Sequence, residues 1–307
     1  MHYIQISIVL IFFISSSKLE SLGCPPLPSA RLCFCHEKTR GLDLTCDQAT
    51  VPDIRKSVDT VAETAQVVWY LKFRHVNLTH FPHDLLGDLR VNYFIAINCS
   101  INSIDDDAFI GLVDDLESLD LANNKLERVP SGALENLVNL ASLNLNYNKI
   151  ETLHPEAFRG LISLLRLYLF GNKIKVIDNL AFDGIGGNLT QINLGENQLT
   201  SVPSRPLRNM TVLQGLQVNH NRISAIISGE FREMGENLDV LELSNNQVEE
   251  LPEKAFYHLQ MLNSLDLENN KIIFIHTLAF EGVEGKNYFF HVLKLLLFYR
   301  RVKQHIA

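Results

Sequence analysis

The chain lacks the short motifs that mark common enzyme classes. Among its 307 residues there is no glycine-rich phosphate loop, no G-x-S-x-G nucleophile turn and no H-E-x-x-H pair of zinc ligands. It has no surplus of positive charge either: 27 Lys and Arg stand against 35 Asp and Glu, a net charge of -8. Nucleic acids and strongly anionic surfaces need clustered bases, so neither is expected as the main partner. A bilayer span needs about 20 consecutive apolar residues. The two longest apolar stretches, from Ile4 to Ile14 and from Tyr288 to Tyr299, fall short of that. Cysteine is scarce and localised: four of the five lie between Cys24 and Cys46, and the fifth is Cys99.

What is present at the start resembles an export signal. The apolar run Ile4 to Ile14 is followed by Ser15 and Ser17, small residues that suit cleavage after Ser17, although the basic flank is only the amino terminus and His2. Residues 1–17 are therefore expected to be a signal peptide, with an uncleaved anchor as the alternative. In an exported chain, Cys24, Cys33, Cys35 and Cys46 fit two disulfides closing a small cap over residues 18–67. A four-thiolate zinc site is the competing reading, but the paired C-x-x-C knuckles are missing. Four cysteines allow three pairings, of which Cys33–Cys35 is hampered by having one residue between its members.

The body of the chain is one phrase repeated. Leu-x-x-Leu-x-Leu-x-x-Asn-x-Leu appears at Leu116-Leu119-Leu121-Asn124-Leu126. It recurs with its asparagine at Asn148, Asn172, Asn197, Asn221, Asn246 and Asn270, with starts 24 or 25 residues apart. Two degenerate copies come first, one with Cys99 at the asparagine position and one with Val76, making nine repeats over residues 68–286. Such a period marks a solenoid, which grows in one dimension without a single round core. Within each phrase x-Leu-x-Leu-x alternates, so it predicts a short strand with its leucines facing inward. The asparagine falls where the strand turns away, and its amide can satisfy backbone groups of its own and the adjacent turn. Val76 and Cys99 lack that amide, so the first two turns are expected to be less regular.

A second column runs through Phe109, Leu134, Phe158, Phe182, Leu207, Phe231, Phe256 and Phe280, often preceded by alanine. Its period matches a packed spine under the convex side better than an aromatic ligand slot. Pro130, Pro203 and Pro252 favour extended backbone there over long helices.

These residues resemble the typical class of extracellular leucine-rich repeats, and Cys24-Pro25…Cys33-Phe34-Cys35…Cys46 resembles the N-terminal cysteine cap of that class. The likeness covers about residues 24 to 286. Within the class the chain resembles invertebrate extracellular repeat-only, chaoptin-like proteins, with Slit-like ligands and small leucine-rich proteoglycans more distant. The resemblance implies an α/β fold: a curved leucine-rich repeat solenoid with a parallel concave sheet and a disulfide-bonded N-terminal cap. It further implies the pairing Cys24–Cys35 with Cys33–Cys46, recognition of proteins or matrix through the concave face, and no enzymatic activity.

On that face the non-leucine strand positions begin basic, at Lys72 and Arg74, and end acidic, at Glu242, Asp266 and Glu268. Midway stand Tyr147, Tyr168 and Phe170, flanked by Arg166, Asn144 and Asn146. Aromatic rings beside an arginine are the residue types that anchor interfaces, so these six form the candidate partner-binding set. The competing reading is incidental exposure of single aromatics. Four N-x-S/T sequons, at Asn77, Asn98, Asn188 and Asn209, are glycosylation candidates; Asn98 is the doubtful one, beside a Cys99 expected to be buried and inert. His75, His80 and His83 lie close in sequence, yet neither a zinc spacing nor an acidic partner supports a metal there. Calcium at Asp105-Asp106-Asp107 is outweighed by a solvated acidic face. No metal, no cofactor and no small-molecule substrate are expected.

The phrase is lost after Asn287, and a largely apolar then basic segment, 287–307, follows. It fits either an incomplete chain whose last segment is not the native continuation or a short amphipathic helix covering the open end. The functional expectation is a secreted, glycosylated binding protein of the cell surface or matrix, acting in adhesion or epithelial organisation. The alternative is the ectodomain of a transmembrane receptor whose membrane segment lies outside this chain, and a weaker third is an enzyme inhibitor.

Overall fold

A computed structural model of the chain describes residues 23–185 and 187–283. The expected signal segment 1–17 and the segment 287–307 lie outside the described residues.

The N-terminal cap starts with β1 (Cys33–Lys38) and β2 (Gly41–Asp47), an antiparallel hairpin. Gly41 is needed at its turn, because φ is 142° and a Cβ would lie 2.4 Å from the Val67 carbonyl oxygen. The disulfides are Cys24–Cys35 and Cys33–Cys46, the pairing the resemblance implies. Helix α1 (Val51–Ala62) follows, an element sequence reading left out. Thr50 caps it by accepting from the Asp53 N–H at 3.4 Å, while Asp53 accepts from the Thr50 N–H at 3.3 Å. Ile54, Val58 and Val61 recur at helical spacing and are buried.

The chain then alternates between concave strands and short outer segments. In order these are β3 (Val67–Arg74), β4 (His80–Phe81), β5 (Arg90–Ile97), β6 (Ser103–Ile104) and β7 (Ser118–Asp120). Next come the one-turn helix α2 (Ser131–Leu134), β8 (Ser142–Asn144), β9 (Thr152–Leu153), β10 (Arg166–Tyr168) and β11 (Val176–Ile177). The series closes with β12 (Gln191–Asn193), β13 (Gly215–Gln217), β14 (Val240–Glu242), β15 (Glu250–Leu251), β16 (Ser264–Asp266) and β17 (Phe274–Ile275). Eleven strands make one sheet in the order β1-β2-β3-β5-β7-β8-β10-β12-β13-β14-β16. Every pair in it after the first hairpin is parallel. The register aligns Leu44, Leu71, Phe94, Leu119, Leu143, Leu167, Ile192, Leu216, Leu241 and Leu265 in one buried column. Because Leu44 heads this column, the cap is part of the sheet.

The asparagine ladder is as the alternation predicts. Asn172 accepts from the Ile150 N–H at 3.1 Å and donates to the Leu145 and Leu169 carbonyls at 2.9 and 3.0 Å. Asn148, Asn197, Asn221, Asn246 and Asn270 repeat the scheme, each tying its turn to the preceding repeat.

The first two turns differ from the later ones, as the missing amides lead one to expect: Ser100, just after Cys99, adds a second left-handed φ, of 60°, to that of Asn98. β3 and β5 are the longest strands, eight residues each against three for every strand of the large sheet from β7 onward. Cys99 also fills part of the amide's role. Its Sγ donates to the Phe73 and Ile97 carbonyls at 3.5 and 3.3 Å, and its own carbonyl accepts from the Leu78 N–H at 2.9 Å. Backbone thus takes the proton that later repeats hand to an asparagine oxygen, and longer strand pairing compensates for the weaker turn.

Under the outer segments runs the aromatic spine. Phe158 stacks on Phe182 at 5.7 Å, and Phe231, Phe256 and Phe280 stack in series at 5.9 and 5.4 Å. Phe81, Phe94 and Phe109 meet edge to face at the N-terminal end. The spine rings from Phe109 to Phe256 are buried, so their period is core packing.

Candidate functional site

The middle of the concave face is built on β10. Its Leu167 is buried between Leu143 and Ile192, so Arg166 and Tyr168 point to the other face. Phe170 lies two residues further along on the same side. Its N–H donates to Asn146 Oδ1 at 2.7 Å, and the Asn146 N–H donates in turn to Asn144 Oδ1 at 3.0 Å. Asn144 also hydrogen-bonds Asp120, whose carboxyl is pushed above its usual range by burial against the pull of that bond. Asn144 and Asn146 therefore hold the platform and are less free for a partner than the sequence suggests.

Tyr147 and Phe170 meet edge to face with centroids 5.6 Å apart. Two glycines of following repeats make room for them. A Cβ on Gly171 would sit 2.5 Å from the Tyr147 ring, and one on Gly195 would sit 2.8 Å from the Phe170 ring. Tyr147 is 49 % exposed, whereas Tyr168 and Phe170 are half-buried. Tyr168 instead borders a hollow of about 270 Å3 that is also lined by Gln191, Asn193, Gly215, Gln217 and Asp239.

The backbone at Tyr147 is unusual for a tyrosine. The residue just before each ladder position has a left-handed φ of 50° to 69°: His75, Asn98, Asn123, Tyr147, Gly171, Glu196, His220, Asn245 and Asn269. Five of these nine are asparagine or glycine, the residues that accept this conformation most readily. The conformation belongs to the repeat, since His75, Glu196 and His220 adopt it too; what sets Tyr147 apart is the large ring it carries there.

Sequence reading missed a second aromatic group at the N-terminal end. Tyr93 packs against Trp69 at 5.3 Å and Tyr70 at 5.0 Å, with Arg40 over Trp69 and Lys72 over Tyr70. The Tyr93 hydroxyl donates to Glu117 at 2.9 Å, and Lys72 pairs with Asp43 at 2.8 Å. The signal was present, since all three rings occupy the x-x positions of Leu-x-x-Leu, just before the outward strand positions that begin at Lys72 and Arg74.

Asn77, Asn98, Asn188 and Asn209 are all exposed. Asn98 occupies the same place in its repeat as Tyr147, beside a fully buried Cys99. The histidines require a correction: His80 and His83 do have an acidic partner, Asp105 of the next repeat, at 3.1 and 3.2 Å. His75 pairs with Asp47 at 3.0 Å. Towards the C-terminal end of the face Glu242 stands beside Asp266 in register, and Gln217 donates to Glu242 at 3.1 Å.

Among the described residues no helix is long and apolar enough to cross a membrane. A family model described as "Leucine rich repeat" matches residues 96–150, 114–174, 139–187, 171–223 and 236–285, together more than half of the chain. Curated relatives named "Leucine-rich repeat-containing protein 3B", from Bos taurus, Mus musculus and Homo sapiens, are 32% identical over 108 residues. That alignment covers 34% of this chain and 38% of each relative, so the chain spans well under half of the proteins it matches. A solved structure described as "Crystal structure of TLR13-ssRNA13 complex" aligns with a TM-score of 0.61 at 23% identity, covering 78% of this chain and 30% of that one. At that identity the likeness concerns the fold.

Proposed function

We propose that this chain, which belongs to the leucine-rich repeat family, is an extracellular protein-binding scaffold acting in adhesion or in matrix and epithelial organisation. It holds its partner on the concave face at Tyr147, Arg166, Tyr168 and Phe170. The observation that carries this reading is Tyr147 itself, a half-exposed ring on a left-handed backbone, set edge-on to Phe170 over Gly171 and Gly195. Aromatic anchors held rigid before binding lose little side-chain freedom when a partner arrives. Two disulfides in the cap support an oxidising compartment. RNA, the ligand named in the TLR13 complex, is a poorer fit here: the net charge is -8 and the site carries one arginine.

The receptor alternative places the same concave site on a membrane-anchored protein. Surface staining of intact cells expressing the full-length transcript, set against assay of the medium, separates the two. The binding site is tested by proximity labelling on cell surfaces with the parent chain and with a folded Tyr168→Ser/Phe170→Ser variant. Loss of specific labelled proteins supports the concave site; an unchanged set overturns it.

A further inference from the structure

Among the described residues, the outer segments of repeats one and two bring two imidazoles up to one carboxylate, with a second carboxylate close by. Strands β4 and β6 pair in parallel with His80 opposite Ser103 and Phe81 opposite Ile104, and the Asp105 N–H donates to the Phe81 carbonyl at 3.0 Å. This ribbon sets His80 and His83 of one repeat against Asp105 and Asp107 of the next. His80 Nε2 lies 3.1 Å from Asp105 Oδ1, and His83 Nδ1 lies 3.2 Å from Asp105 Oδ2. One ligand atom from each of His83, Asp105 and Asp107 lies within 4.8 Å of the others.

We propose that His80, His83, Asp105 and Asp107 form a binding site for a divalent transition cation, with Zn2+ the best match. Ligand atoms about 2.0–2.1 Å from a tetrahedral zinc stand about 3.3 Å from one another. His83, Asp105 and Asp107 already stand close to that spacing, whereas His80 faces the other oxygen of Asp105 and lies outside that group of three, so it must swing in to complete the site. Mixed imidazole and carboxylate donors suit zinc and similar borderline cations, while calcium takes oxygen ligands alone. The tautomer is arranged too. His80 Nδ1 is 2.9 Å from Ser103 Oγ, which leaves Nε2 facing the cluster, and metal-binding histidines are regularly oriented by such a bond on the far nitrogen. The cluster bridges the repeats whose turns carry Val76 and Cys99 in place of asparagine, so an ion here would tie together the two turns that have the weakest side-chain link. The site is separate from the concave face and independent of the partner proposed for it.

The test is isothermal titration of the chelator-treated full chain with ZnCl2, with melting curves in Zn2+ and in EDTA. The side chains to be changed are exposed or half-exposed, so melting in EDTA should match the parent for every variant. The expected result is one saturable equivalent for the parent and a Zn2+-dependent rise in Tm. Both are lost in His80→Ala/His83→Ala and unchanged in Asp106→Asn. Ser103→Ala is expected to weaken binding about tenfold or more. No saturable binding by the parent, or undiminished binding by the double variant, overturns the site. Parent-like affinity in Ser103→Ala overturns the orienting role of Ser103.

Discussion

Tyr147 shows how one residue can be costly locally and useful on the surface. A left-handed backbone costs a non-glycine residue about 1–2 kcal/mol, and asparagine tolerates it best among the others. Replacing Tyr147 by Asn therefore relieves strain but loses the edge contact with Phe170, worth about 0.5–1.5 kcal/mol. The two effects oppose each other, so the urea midpoint of Tyr147→Asn should stay close to the parent while affinity for the partner falls. A large loss of stability would mean that the ring is a packing residue. Gly195→Ala tests the same site without touching a proposed anchor. Its φ is unexceptional, but the new methyl would lie 2.8 Å from the Phe170 ring and 2.5 Å from Asn219 Oδ1, so the ring must shift and partner affinity should drop, as surface plasmon resonance would show. Cys99 illustrates the opposite case, a residue whose reactivity is suppressed by its surroundings. Burial pushes its thiol from 9.0 to about 11. Folded chain should resist iodoacetamide at pH 8 and react only in denaturant, because the thiolate is the nucleophile. The proton is held more tightly in the folded state, so this contribution is intact below pH 9 and is lost as pH rises towards 11. Replacing Cys99 by Ala should flatten the alkaline limb of the stability curve.

The repeating element owes its uniformity to the asparagine ladder and the leucine column, and both are legible because they recur at a fixed period. Asn172→Ala would leave the Ile150 N–H and the Leu145 and Leu169 carbonyls without their partner in a buried turn. With about 1–3 kcal/mol for each buried group left unsatisfied, and water able to reach some of them after truncation, we expect a loss of about 2–4 kcal/mol by denaturant unfolding. A loss below about 1 kcal/mol would show that the ladder is decorative. Helix α1 was legible and overlooked. Thr50-Val51-Pro52-Asp53 is a capping sequence, and Ile54, Val58 and Val61 follow at helical spacing. The behaviour of Cys99 was not legible, because whether a thiol can reach the Phe73 carbonyl depends on how closely two turns approach. The lengthening of β3 and β5 was obscured for a related reason: strand length there follows from register with β2, whose pairing no local pattern states.

At the scale of the whole molecule the period is also a map of neighbours. Adding 24 or 25 to a residue number, or 23 between the first two repeats, names the register position beside it in the next repeat, and contacts fall there or within two residues of it. His80 meets Asp105, Arg90 meets Asp115, Tyr93 meets Glu117, Tyr147 meets Gly171, and Glu151 meets Lys175. The glycines beneath the aromatic pair and the acid beside the histidines were thus implied by spacing alone, although no single repeat contains them. What spacing cannot supply is the face each pair occupies away from the strands, since the outer segments vary among ribbons, turns and the single helical turn of α2. The same one-dimensional wiring governs how damage spreads. Each repeat is stabilised by its two neighbours, so a solenoid responds to a local lesion by fraying from the nearest end before it unfolds as a whole. The Cys33–Cys46 bond fastens β1 to β2, and β2 covers the leading edge of the leucine column through Leu42 and Leu44. Removing both cysteines as Cys33→Ser/Cys46→Ser should cost about 2–5 kcal/mol locally. Because the turns at Val76 and Cys99 lack ladder asparagines, the opening should run through β3 and β5 and stop where Asn124 and Asn148 begin the full ladder. Hydrogen exchange read by mass spectrometry should then show protection lost from β1 to β5 and retained from β8 to β14. Uniform loss along the chain would instead mean that the solenoid unfolds as one cooperative block and that the missing asparagines set no boundary within it.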